Sequence, residues 1–73
     1  MTDNEKVLIE IFSEISNTAV PVNLTTKIDQ LGLDSMDVLD VLMNIRNKLD
    51  VDIPIDRFSS CEDVESVAKI IYP

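Results

Sequence analysis

One serine of this chain stands where a phosphate group could be attached. Ser35 follows a Leu-Gly-Leu-Asp segment and precedes apolar residues that recur at helical spacing. Gly32 permits a turn, and both Asp34 and Ser35 are residue types that cap helices. Free N–H groups and the positive end of the helix dipole favour a phosphate at such a position. Ser35 is therefore the candidate for carrying a phosphodiester-linked group, and the alternative is a serine that only caps a helix.

Other reactive residues are scarce. The chain has no histidine and a single cysteine, Cys61, which excludes an internal disulfide, Cys/His zinc sites and Ser-His or Cys-His catalytic pairs. We expect Cys61 to be a small buried apolar residue rather than an acyl-carrying thiol. Asp50, Asp52 and Asp56 could attract a divalent cation, but a solvated acidic turn fits them better. We therefore predict no metal site and no enzyme activity.

The negative charge of the chain limits the classes of partner that it can bind. The chain has 14 acidic and 6 basic residues, which gives a net charge of −8. This charge disfavours nucleic acid and anionic membranes as ligands. An acidic surface suits encounter with basic patches on other proteins, unless it only maintains solubility. We see no apolar run of membrane-spanning length and no signal-peptide pattern, so we expect a soluble, cytoplasmic protein.

Apolar spacing predicts an all-α protein. Three main helices are expected over Asp3–Ser16, Ser35–Leu49 and Asp63–Tyr72, with a short one over Asp56–Ser60. The long loop Asn17–Asp34 is expected to pack on the core through its apolar residues Val20, Val22, Leu24, Ile28, Leu31 and Leu33. The prediction is one domain over residues 1–73, a small four-helix bundle with three main helices, one short helix and a long first loop.

The second helix has two apolar faces. On a helical wheel its core face is formed by Val38, Val41, Leu42, Ile45 and Leu49. A second stripe, Met36, Leu39 and Met43, is bordered by Asp37 and Asp40. Because methionine is frequent on surfaces that bind several partners, we interpret this stripe as a recognition face. The alternative is that the long loop folds over the stripe and buries it.

The same helix supports a family resemblance. The stretch from Leu31 to Leu42, LGLDSMDVLDVL, resembles the phosphopantetheine attachment site of acyl carrier proteins. Asp52-Ile53-Pro54 is similar to the entry of that family's third helix, and residues 64–71 are similar to its final helix. The resemblance covers essentially the whole chain.

The resemblance implies a chemistry for the serine. Ser35, preceded by Asp34, would receive the 4′-phosphopantetheine arm of coenzyme A from a phosphopantetheinyl transferase. The thiol of the arm would hold an acyl or aminoacyl group as a thioester, so the cofactor supplies the reactive group. The implied partners are this transferase and acyl-loading and synthase enzymes with basic docking patches, and a monomer is expected.

The end of the second helix departs from the family pattern. Arg46, Asn47 and Lys48 stand where carriers of ordinary fatty acid synthesis tend to have carboxylates. The cations could simply complement the helix dipole, at roughly 0.3–1 kcal/mol each. We interpret Arg46 and Asn47 as part of an altered partner surface, which favours a polyketide, hybrid peptide or specialised lipid pathway. A housekeeping fatty acid carrier, an aminoacyl or peptidyl carrier, and an unmodified helical interaction module are the alternatives.

Overall fold

The chain folds into a small helical bundle. A computed structural model describes residues 3–16, 19 and 21–72. Its α-helices are α1 (Asp3–Ile15), α2 (Ser35–Leu49), α3 (Ile55–Ser59) and α4 (Val64–Ile71), and a 3-10 helix, η1, covers Ile28–Leu31. This confirms the predicted fold class, and each main helix ends within one residue of its predicted limits. Over the described residues, the extended structure is limited to an isolated bridge between Lys27 and Asp63.

Acidic caps explain where α2 and α4 begin. The Asp37 N–H donates to Asp34 Oδ1 over 2.8 Å, and the Asp34 N–H donates to Asp37 Oδ2 over 3.2 Å. This reciprocal pair satisfies two N–H groups at the helix start. Helix α4 is capped by Asp63, which accepts a bond from the Ser66 N–H over 2.9 Å. Asp50 ends α2 in a left-handed conformation with φ 58°, and its N–H donates to the Arg46 carbonyl.

The core is entirely apolar among the described residues. Helix α1 packs against α2 and α4. The rings of Phe12 and Phe58 stack with centroids 6.3 Å apart, which links α1 to the short α3. The buried residues are Leu8, Ile11, Phe12, Leu31, Val41, Ile45, Ile53, Phe58, Val64, Val67, Ala68 and Ile71.

The long first loop contacts the bundle through apolar side chains and through backbone hydrogen bonds. Leu31 is buried, and Val22, Leu24, Ile28 and Leu33 pack partly buried against the core, as predicted; Val20 lies outside the described residues. Three backbone bonds tie the loop to the start of α4: Ile28 N–H to Glu62 O, Val64 N–H to Thr26 O, and Glu65 N–H to Leu24 O. The left-handed Gly32, with φ 66°, then turns the chain from η1 towards α2. The loop that precedes Ser35 is therefore anchored to the core and to the start of α4.

Candidate functional site

Ser35 is the first residue of α2, and its side chain is exposed. The alternative that it only caps the helix is wrong, because Asp34 is the cap. Among the described residues no hydrogen bond partner of the Ser35 hydroxyl is found. The hydroxyl is thus held at a fixed place on the surface and remains available for reaction.

The start of α2 provides donors for a phosphate on this serine. Of the N–H groups in the first turn, Asp37 donates to the Asp34 side chain and Val38 donates to the Asp34 carbonyl over 3.0 Å. The N–H groups of Ser35 and Met36 have no partner within the described part of the chain. Two open donors at the positive end of α2 fit a phosphate group attached beside them.

A cavity of about 350 Å³ opens beside Ser35. Its lining is mostly apolar and comes from η1, α2, α3 and the residue Cys61 that follows α3: Ile28, Ser35, Val38, Ile55, Phe58, Ser59 and Cys61. A wider groove of about 900 Å³ shares Ile28, Val38, Ser59 and Cys61 with it and continues along the loop to Lys27 and Glu62. A flexible chain attached to Ser35 therefore has room to lie against the protein.

The second apolar stripe of α2 is exposed. Met36, Leu39 and Met43 keep 69%, 47% and 61% of their surface accessible, so the alternative that the loop buries them is wrong. Ile55 of α3 is a further exposed apolar side chain, 54% accessible, and it lines the same cavity as Ser35. Sequence reasoning missed Ile55, because the predicted short helix began one residue later.

The two acids that border the stripe differ in their surroundings. Asp40 is exposed. Asp37 is half-buried and its carboxylate is engaged in the α2 cap. Asp40 is therefore the carboxylate of this border that is available for a charged partner.

At the other end of α2, Arg46, Asn47 and Lys48 are all exposed. Arg46 Nε lies 3.4 Å from Asp52 Oδ1, and these side chains are 70% and 78% accessible. An ion pair as exposed as this one contributes about 0–1 kcal/mol at most. The wheel places Arg46 on the Ser35 side of α2 and Lys48 on the opposite flank.

Cys61 is closer to Ser35 than the sequence suggests. It lies between α3 and α4, where it packs partly buried against the core, and it lines the cavity beside Ser35. Burial raises the pKa of the Cys61 thiol; Arg57 lowers it and Asp63 raises it further. A raised pKa leaves little thiolate at neutral pH, so Cys61 is a poor nucleophile there. Nothing in the spacing of the sequence indicates this proximity.

The described residues contain neither a candidate metal-binding cluster nor a helix suited to cross a membrane. No cluster of three or more histidine, cysteine, aspartate or glutamate side chains there is arranged to hold a metal ion. None of the helices there combines the length and the apolar character needed to cross a bilayer.

Comparison with known families identifies the class of protein. The family described as "Phosphopantetheine attachment site" matches residues 6–71, which is nearly the whole chain. The chain belongs to this family, and it is a phosphopantetheine-carrier protein whose cofactor is covalently attached 4′-phosphopantetheine. No curated protein and no solved structure matches the chain.

Proposed function

We propose that 4′-phosphopantetheine is attached to Ser35 and that Asp34 positions this serine by capping α2. The observation that carries the proposal is an exposed hydroxyl at the first residue of α2, with the capping role taken by its neighbour. Two open N–H donors and an adjoining apolar cavity support it. Acyl groups would be carried as thioesters on the thiol of the arm.

The attachment is a phosphoryl transfer in which this chain supplies the nucleophile. The Ser35 oxygen forms a bond to the phosphorus next to the pantetheine of coenzyme A. The bond from that phosphorus to the bridging oxygen breaks, and adenosine 3′,5′-bisphosphate leaves with the electron pair. The chain has no histidine, and the Asp34 and Asp37 carboxylates beside Ser35 are engaged in the cap of α2, so the hydroxyl proton passes to a base of the transferase.

Intact-mass analysis tests the attachment. Purified protein is incubated with coenzyme A and a broad-specificity phosphopantetheinyl transferase. We expect a gain of one phosphopantetheine group in the wild type and in Ser59→Ala, and no gain in Ser35→Ala. Ser59 is the matched control because it lines the same cavity, with its hydroxyl bonded to Ile55 O over 2.9 Å. An unmodified wild type would favour the interaction-module alternative.

The exposed stripe of α2 is the surface on which the transferase and the synthase enzymes would dock. Met36, Leu39 and Met43 provide adaptable apolar contacts next to Ser35. Asp40, and to a smaller extent Asp37, would meet basic patches of these enzymes. The proposed docking role of the stripe is supported by the exposure of its side chains beside the proposed attachment site.

The C-terminal end of α2 favours a specialised pathway. Arg46 and Asn47 would extend the docking surface with a cation and an amide, so a basic patch made for an acidic helix would be repelled there. We infer a polyketide, hybrid peptide or specialised lipid system rather than housekeeping fatty acid synthesis. Changing Arg46 and Lys48 to Glu should raise the rate of acyl loading by enzymes of general fatty acid synthesis. Equal rates for the wild type and the double variant would remove the support for this pathway.

A further inference from the structure

Ser35 is enclosed by a ring of hydrogen bonds between the residues on either side of it. The Asp37 N–H donates to Asp34 Oδ1 over 2.8 Å, and the Asp34 N–H donates to Asp37 Oδ2 over 3.2 Å. The Val38 N–H also donates to the Asp34 carbonyl over 3.0 Å. Ser35 and Met36 lie between the bonded ends, so the ring restricts the backbone on both sides of the Ser35 side chain.

Asp37 is poorly placed to meet a partner that approaches Ser35. At about 100° per residue, Asp37 points about 160° away from Ser35 around α2, and about 100° or more away from every residue of the exposed stripe. It is also half-buried. Asp40 is exposed and lies within about 60° of Met36 and Met43 on the same wheel. The direction and the burial of the Asp37 side chain therefore favour a role within the protein.

The transfer of the arm benefits from a serine whose backbone is already ordered. Phosphoryl transfer requires the attacking oxygen to lie roughly in line with the bond that breaks. A mobile backbone would lose its freedom at that step, which raises the barrier. The ring restricts the backbone before the transferase binds, while the Ser35 side chain itself remains exposed.

We propose that Asp37 is a positioning residue for the modification of Ser35, and that it acts mainly as a hydrogen-bond acceptor rather than as a charge bound by the transferase. This inference rests on the proposed attachment at Ser35. Asp34 provides one half of the ring, and Asp37 provides the acceptor that closes it. Asp40 keeps the docking role, since its carboxylate takes no part in the cap of α2.

An acceptor and a docking charge respond differently to substitution. Asp37→Asn removes the charge but keeps a side-chain oxygen that can accept from the Asp34 N–H, whereas Asp37→Ala removes both. Asp40→Asn removes only an exposed charge, so it is the matched control for docking. Because salt screens exposed charge pairs, a docking defect should shrink as the salt concentration rises, and a positioning defect should persist.

Steady-state kinetics of modification test the proposal. The full chain and its variants are treated with coenzyme A and the transferase at low and at high salt, and the gain in mass is followed with time. We expect Asp37→Ala to lower kcat about three- to ten-fold at both salt concentrations, with little change in the KM for the protein. Asp37→Asn should keep about half or more of the wild-type kcat, since the acceptor is retained. Asp40→Asn should instead raise KM at low salt and match the wild type at high salt.

The cap of α4 provides a control for lost stability. Asp63 accepts a hydrogen bond from the Ser66 N–H over 2.9 Å, which is the same kind of bond at a different helix. Asp63→Ala should therefore destabilise the fold to an extent similar to Asp37→Ala without lowering kcat for Ser35.

Amide hydrogen exchange reports the ring without the transferase. Exchange of the Asp34 N–H, measured by nuclear magnetic resonance, should be faster in Asp37→Ala than in the wild type because its acceptor is lost. It should remain slow in Asp37→Asn and in Asp40→Asn.

The inference is wrong if the Asp37→Ala defect disappears at high salt, or if Asp37→Asn is as slow as Asp37→Ala, since either result would indicate a docking charge. An equal loss of kcat in Asp63→Ala would also overturn it. Should Asp37→Ala fail to fold, an Asp37→Asn protein with the kinetics of Asp40→Asn would contradict the inference by itself. A wild type that accepts no arm would overturn the proposed attachment instead.

Discussion

Of the two carboxylates proposed to meet partner enzymes, Asp40 is the one that can be changed without disturbing a helix cap, since Asp37 is engaged in the cap of α2. We predict that Asp40→Lys slows modification by the transferase roughly two- to five-fold at low salt, in line with a single exposed charge pair. Added salt should reduce the difference. The control is Glu10→Lys, an equal change of charge on exposed α1. Equal slowing by both variants would mean that only the net charge matters.

The raised pKa of Cys61 predicts low reactivity towards alkylation. Burial is the main cause, and it disfavours the thiolate. Iodoacetamide should therefore modify Cys61 more slowly at pH 7.5 than it modifies a cysteine in a short unstructured peptide. The ratio of the two rates should approach one at a pH well above 9, the ordinary pKa of the thiol. A Cys61 that reacts faster than the peptide would contradict this environment.

At the scale of elements, the Asp34 cap stabilises the start of α2, where Ser35 is the first residue. Asp34→Ala removes the acceptor of the Asp37 N–H, and we predict a loss of about 1 kcal/mol in the free energy of unfolding. Because Ser35 follows the cap directly, modification of the variant should also slow. Asp34→Asn retains a side-chain oxygen that can accept this bond, so its stability and its modification rate should fall much less. Denaturant unfolding and the modification rate measure the two effects, and an Asp34→Ala protein of unchanged stability would rule out this role of the cap.

The elements differ in how far the sequence predicts them. The limits of α2 were predicted correctly, because an aspartate cap, apolar spacing and a proline beyond its end all agree. The 3-10 helix η1 was not predicted, since its four residues are too few for a periodic pattern. Cys61 and Ile55 line the same cavity as Ser35 because of the tertiary placement of residues 55–61 beside the start of α2, which local spacing does not encode.

At the scale of the whole molecule, Asp63 joins the long loop to α4. Hydrogen bonds from the Ser66 hydroxyl and N–H lower the pKa of the Asp63 carboxyl below its ordinary 3.8. The unfolded chain therefore binds more protons than the folded one as the pH falls through this range, and the stabilisation is present above it and lost below it. We predict that the wild type exceeds Asp63→Asn in stability at pH 6.

The advantage of the wild type over Asp63→Asn should shrink as the pH falls below about 3.8 through the lowered folded pKa. Unfolding in urea at a series of pH values measures it. Protonation of the other carboxylates affects the stability of both proteins in the same way, so its effect cancels in the difference between them. A constant difference between the two proteins from pH 6 to pH 2 would contradict the role of Asp63.

The proposed attachment at Ser35 is tested most directly by peptide mapping of the modified protein. Wild-type protein is treated with coenzyme A and the transferase, digested and fragmented by tandem mass spectrometry, which separates the six serines of the chain. The structure predicts that the arm is found on Ser35 alone, since it is the exposed serine at the start of α2. An arm on Ser59 or Ser60, with Ser35 unmodified, would contradict the account.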